Sequence, residues 1–511
     1  MDSNEVVISG TGCERFAGRI PAGLEQPVVL KKNGVVHVRR LANGKDEELM
    51  SVGLACSECF SGPRLGKILK PGFDYEKKVM EDLLAGSFAS PLSNHTSGGV
   101  TESLADFVQA LEQHLPWEDT GKLDWCVSLQ LEGASAVWAA IDLLLQEAML
   151  STGDKTRIKV AVGATSYHGP PSTSFGANCP LWQKSYQLKY PVPIAGQVFD
   201  EVAFMASYDA FLEENGQEIG VILFEPQWGS SQAAFPWPEK VLRTCISKAR
   251  DAGIRVVCDE IMCGLGRHGQ GTLFVSKAWD LDPDAVTFGK AIGGGVYPIA
   301  GAIMKQGRDR LCQAGCTVMQ SHTYAGSSVR ALMTATEVLK ELPNWLSHIA
   351  KLGEEMGHIA RYLTKVSEGL IIMHGQGLMW GGLLTQKGDL GNAEYRKRAL
   401  QCFRKYCEQI GILPYIVPAG GFMVTPMVDI DVGTIYEIGS RLEKVILLTM
   451  DEIGWAGSNN GEYKEEQIEM PELVREEIQK CQPHLHSTKS CTSCSSFVCP
   501  DVRMRFFRYK V

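Results

Sequence analysis

The stretch Asp284–Ile299, DAVTFGKAIGGGVYPI, sets a lysine between a short apolar run and a row of glycines. The β-branched and aromatic residues before Lys290 read as a strand, and the glycines after it as a loop where backbone can approach a ligand closely. The pattern recurs upstream. DWCVSLQ from Asp124, RIKVAVG from Arg157, GVILFE from Gly220 and IRVVCDE from Ile254 are further candidate strands. Between the last two lies PEKVLRTCISKARDAG, Pro238–Gly253, in which Val241, Leu242, Cys245, Ile246 and Ala249 recur at helical spacing before Gly253 closes the helix. This alternation predicts an α/β fold, a mostly parallel sheet flanked by helices.

Open parallel sheets bind ligands at the carboxyl ends of their strands. Here those ends carry Glu225, the pair Asp259-Glu260, Lys290 and, shortly after RIKVAVG, Tyr167-His168-Gly169. Three readings of Lys290 compete: a solvated lysine, a phosphate-loop lysine, or a desolvated amine acting as a Schiff-base nucleophile. The order GKAIGGG does not match GxxxxGK[ST], which counts against the second. Asp259 is either a cap for the next turn or an acid that keeps a pyridine nitrogen protonated opposite the lysine.

Four segments together resemble the class III aminotransferases, fold-type I enzymes that use pyridoxal 5'-phosphate (PLP). They are EPQWGSSQAAFPWP from Glu225, CDEIMCGLGRHG from Cys258, DPDAVTFGKAIGGGVYPIAGAI from Asp282 and SHTYAGSSVRA from Ser321. The resemblance implies a large PLP-binding domain with a seven-stranded sheet and a smaller α+β domain made from both chain ends. It implies that Lys290 holds the cofactor as an imine, that Asp259 faces the pyridine nitrogen, and that Tyr167 stacks on the ring, with His168 and Met262 beside the cofactor. The backbone of Gly133 and Ala134 would take the phosphate at a helix start, and Thr323 would reach it from the neighbouring subunit of a homodimer. The implied reaction is a ping-pong transfer of an amino group from an amine or amino acid to an oxo-acid or aldehyde. PLP-dependent aminomutases or racemases, decarboxylases and phospho-lyases of the same fold are the alternative.

Some positions depart from the family pattern. EGASA from Glu132 replaces the usual SGSEA, leaving Ser135 where a glutamate is frequent, and Met262 stands where many members carry glutamine. In AGGFMVTPMVDI, Met423 is the nearest match to an arginine that binds an α-carboxylate, and Ser230 stands where some relatives have a glutamate. Either the substrate lacks an α-carboxylate, another residue binds it, or the reaction is not a two-substrate transamination.

Composition sets the outer bounds. A chain of 511 residues suggests two or three domains, and 44% hydrophobic with 21% charged residues is an ordinary globular balance. A net charge of -9 without a basic patch argues against nucleic acid as a partner. The start MDSNEVVISGTG has no signal-peptide pattern, and VWAAIDLLL is broken by Asp142, so no membrane role and a cytoplasmic location are expected. The 16 scattered cysteines read as reduced thiols.

The expected organisation is a glycine-rich, irregular N-terminal segment of the small domain over 1–90, the large domain over 91–345, the rest of the small domain over 346–455, and a polar extension over 456–511. Cys491, Cys494 and Cys499 lack the spacing of paired CxxC knuckles, so no metal is expected.

Overall fold

The computed structural model describes residues 28–33, 36–40, 46–53, 56–87, 100–117, 125–169, 186–305, 324, 326, 328–385 and 391–455. Thr323 and the cysteine-rich stretch beyond Trp455 lie outside the described residues. Along the chain, β1 (Val28–Asn33), β2 (Val36–Arg40) and β3 (Asp46–Ser51) come first. The central strands are β4 (Trp125–Gln130), β5 (Lys159–Gly163), β6 (Gln187–Tyr190), β7 (Ile219–Phe224), β8 (Arg255–Asp259), β9 (Ala285–Phe288) and β10 (Ala300–Lys305). After them come β11 (Ile371–Gln376), β12 (Met379–Leu384), β13 (Ile412–Leu413), β14 (Tyr415–Val417) and β15 (Gly421–Val424).

The central sheet has the order β4-β10-β9-β8-β7-β5-β6. Only β10 runs against its neighbours; β9, β8, β7, β5 and β6 pair in parallel. Every residue of β7 is buried, as a parallel strand covered on both faces must be. Its side chains alternate: Val221 and Leu223 join one core, Ile222 and Phe224 the other. The first of these cores is completed by the helix Gly133–Thr152, through Val137, Ile141 and Leu144. That helix is apolar enough in composition to cross a membrane, but its apolarity is that of a core helix laid on the sheet. On the other face, the helix Glu239–Asp251 buries Val241, Leu242, Cys245, Ile246 and Ala249, the apolar positions recognised by their spacing.

Two smaller sheets flank this layer. One has the order β1-β2-β3-β13, and its parallel pairing of Ile412 with Met50 ties the two ends of the chain together. The other is antiparallel, in the order β11-β12-β15-β14.

The segment before Pro91 differs from its expected irregularity, because Gly62–Leu84 is a helix. Its glycines and prolines hide it from propensity. Pro63 sits in the first turn, where no amide donor is needed, and Pro71 lies inside the helix. Packing outweighs the cost: Ile68, Leu69, Gly72 and Val79 are buried, and the helix lies against Val329–Glu341.

Candidate active site

Parallel pairing brings Glu225, Asp259 and the Lys290 loop to one edge of the central sheet, because each lies at or just past the carboxyl end of its strand. The register is tight there: Asp259, the last residue of β8, pairs with Thr287 of β9. The Thr287 hydroxyl donates to Asp259 Oδ1 at 2.9 Å, as does the amide of Ile261 at 3.2 Å. His168 Nδ1 lies 2.7 Å from Asp259 Oδ2. Both side chains are buried, so the carboxylate has exchanged water for protein donors on both oxygens.

Burial alone would lower the pKa of His168, but the hydrogen bond to Asp259 and the charges of Asp259 and Glu225 outweigh it and hold the imidazole above its usual value. Its Nε2 has no partner among the described residues.

Glu225 is an organiser. It accepts from the amide of Tyr167 at 3.0 Å and from that of Gly229 at 3.2 Å, and so positions both loops. Burial, opposed by His168 and the two amides, lifts its pKa to about 7. Glu260, next to Asp259, turns the other way. It accepts from the amides of Val275 and Ser276 at 2.6 and 2.7 Å, and burial raises its pKa to about 7 as well.

Lys290 follows β9 by two residues and opens a short 3-10 turn, Lys290–Gly293. Its φ of 48° is in the left-handed region, a strained setting for a residue with a side chain. Gly295, at φ 72°, rests on the N-terminal segment, where a Cβ would meet Glu58 Cγ at 2.6 Å. Arg267 holds that segment from the other side. Its guanidinium is buried and donates to the carbonyls of Glu58, Leu378 and Pro426. Burial raises the thiol pKa of Cys56 in the same segment, opposed by the charges of Arg267 and Lys290.

Gly133 and Ala134 begin the helix Gly133–Thr152, which has neither a side-chain cap nor an acid in its first turn. A Cβ on Gly133 would meet Ile261 Cδ1 at 2.7 Å, so this helix start is packed against the turn that follows Asp259. Tyr167 is about half exposed, and burial, followed by the nearness of Tyr415 and Glu132, raises its phenol pKa. Met262 packs near Gly229 and is half-buried. Met423 is buried in β15, opposite both Gly381 and Tyr415. The roles of Thr287 and Arg267 escaped sequence reading. A lone threonine inside the apolar run AVTF was the one available signal for the first; the second depends on contacts from both ends of the chain.

The donor set fits PLP: a buried acid backed by His168 and Thr287, a lysine just past the adjoining strand end, and a helix start without a side-chain cap. Comparison with known proteins gives a consistent result. The [LysW]-aminoadipate semialdehyde/glutamate semialdehyde transaminase of Sulfolobus acidocaldarius is 26% identical over 318 residues, covering 60% of this chain and 71% of that protein. The 4-aminobutyrate aminotransferase GabT of Escherichia coli is 32% identical over 209 residues, covering 40% of this chain and 46% of that one. The PMP-bound form of an aminotransferase from Vibrio fluvialis superposes with a TM-score of 0.68 at 15% identity, covering 84% of this chain and 94% of that one, which is a likeness of fold. The profile of the family described as aminotransferase class-III matches residues 91–409, most of the chain, and the protein accordingly belongs to this PLP-dependent family.

Proposed function

We propose that the edge formed by Asp259, His168 and the Lys290 loop is where this aminotransferase carries out amino-group transfer, with Lys290 as the residue that binds the cofactor covalently. The observation that carries the assignment is the buried Asp259–His168 pair one strand away from Lys290. When bound, PLP supplies an electron-poor pyridine ring that accepts the electron pair left as the donor's C–H bond breaks. Asp259, bonded and oriented by His168 and Thr287, would hold a proton on the ring nitrogen. Tyr167 would cover one ring face, Met262 would lie beside the ring, and the amides of Gly133 and Ala134 would receive the phosphate. The Lys290 amine, freed when the donor takes its place, would shuttle a proton between the donor carbon and the cofactor.

The donor, in this reading, is an amine without an α-carboxylate. Met423 supplies no charge, and Arg267 is buried and donates to three backbone carbonyls. The active form is a homodimer in which Thr323 serves the site across the interface. The protein works in the cytoplasm, consistent with the free thiols of its described cysteines. The domain boundaries follow the same reading, with 91–345 as the large domain, and 1–90 with 346–455 as the small one.

The direct test is to load purified protein with PLP, reduce with borohydride and map the modified peptide. The label is expected on Lys290; no label, or a label elsewhere, refutes the assignment. Formation of carbonyl product only when an acceptor is added checks that the reaction is a transfer.

A further inference from the structure

We propose that Glu132 weakens the site's hold on the phosphate dianion of PLP, so that this one side chain sets the cofactor affinity below what the ring-binding residues would allow. The inference rests on the PLP reading of the site. It starts from the beginning of the helix Gly133–Thr152, whose first amides have no side-chain cap and whose positive dipole end would receive an anion. Glu132 is the capping residue of that helix, in extended backbone at φ -144° and ψ 164°, and its side chain makes no capping bond. A glutamate is one methylene longer than the aspartate that usually folds back onto such amides.

The residues around it do not offset this charge. The Glu132 carbonyl accepts from the amide of Ala136 at 3.1 Å and from the Ser135 hydroxyl at 3.0 Å, so the Ser135 donor is already engaged. Ala134 has no hydroxyl to offer. The Glu132 carboxylate is exposed and has no ion pair among the described residues.

Its place in the chain beside Gly133 sets it next to the turn that follows Asp259. Gly133 is packed against Ile261, two residues past Asp259, and the charge of Glu132 contributes to raising the phenol of Tyr167. A carboxylate at the mouth of an anion site repels a dianion through solvent-screened Coulomb interaction. It acts chiefly on the phosphate rather than on the ring or the aldehyde.

Calorimetric titration of cofactor-free protein with PLP and with pyridoxal, which lacks the phosphate, separates these contributions. Glu132→Gln and Glu132→Ser are expected to bind PLP roughly tenfold more tightly than the parent chain. Pyridoxal affinity should stay within about twofold, because the repulsion acts on the phosphate. Unchanged or weaker PLP binding in both variants overturns the proposal, as does an equal shift for PLP and pyridoxal. Thermal unfolding of the cofactor-free variants checks that each is folded, and either variant alone suffices for the comparison. If borohydride fixes PLP to Lys290 while the variants show no gain in affinity, only the role of Glu132 falls. If no PLP is fixed at Lys290 in the parent chain, the cofactor reading fails and this inference fails with it.

Discussion

Asp259 and Glu132 are both acids at the ends of regular elements on the same edge of the sheet, yet their surroundings are opposite. Asp259 ends β8, is buried, and has both oxygens partnered by His168, Thr287 and the Ile261 amide. Glu132 precedes its helix, is exposed, and has no capping bond. A buried charge survives only if it is bonded, so its partners specify it; a surface charge is tolerated without them and can be altered cheaply. The deep end of the site is therefore expected to resist substitution, and the helix end to be adjustable.

The largest effect is expected at the deep end. Lys290→Ala should abolish borohydride labelling and lower turnover by at least ~1000-fold; comparable labelling at another lysine would break the assignment. Asp259→Ala comes next, with turnover lower by roughly 100-fold or more and a much smaller loss in thermal stability. In that variant His168 loses the main partner that holds its pKa up, so the pKa should fall, as read by NMR titration of the ring. Parallel losses of activity and stability would make Asp259 a structural cap.

Glu225 and Glu260 give a pH signature of intermediate size. Their folded pKa values of about 7 exceed the ordinary 4.5, so between these limits the folded state holds protons that the unfolded chain has released. Their contribution is complete below the unfolded pKa and is lost as pH rises through the folded one. His168, also raised, acts in the same direction from 6.5 upward. Melting temperature should therefore fall across this window. Glu260→Gln should flatten the fall while costing about 1–2 kcal/mol, because an amide keeps only one acceptor for the Val275 and Ser276 amides.

The smallest effects compare two helix starts. Ser328 caps Val329–Glu341 by accepting from the Ala331 amide at 3.2 Å. Ser328→Ala should cost about 1 kcal/mol by chemical denaturation, whereas Glu132→Ala, with no capping bond to lose, should stay within ~0.5 kcal/mol. A cost at Glu132 equal to that at Ser328 would undo the contrast between capped and uncapped helix.

The amphipathic spacing of Glu239–Asp251, the apolar run of β7 and the residues at the ends of β8 and β9 were legible in the sequence, because strand and helix periods are local properties. The helix Gly62–Leu84 was not, since its glycines and prolines argue against a helix until Val329–Glu341 is there to pack on. Adjacent Asp259 and Glu260 look alike in sequence, and only the fold gave one a histidine and the other two helix amides. Likewise Arg267, which in sequence could have met a carboxylate, is taken up by carbonyls from residues as distant as Glu58 and Pro426. By itself, then, the sequence determined the central strands, the helix between β7 and β8, and the chemical groups at the strand ends. The tertiary structure decided which of those groups are partnered and which are left free, because partnership depends on contacts between residues far apart in the chain, which no local pattern encodes.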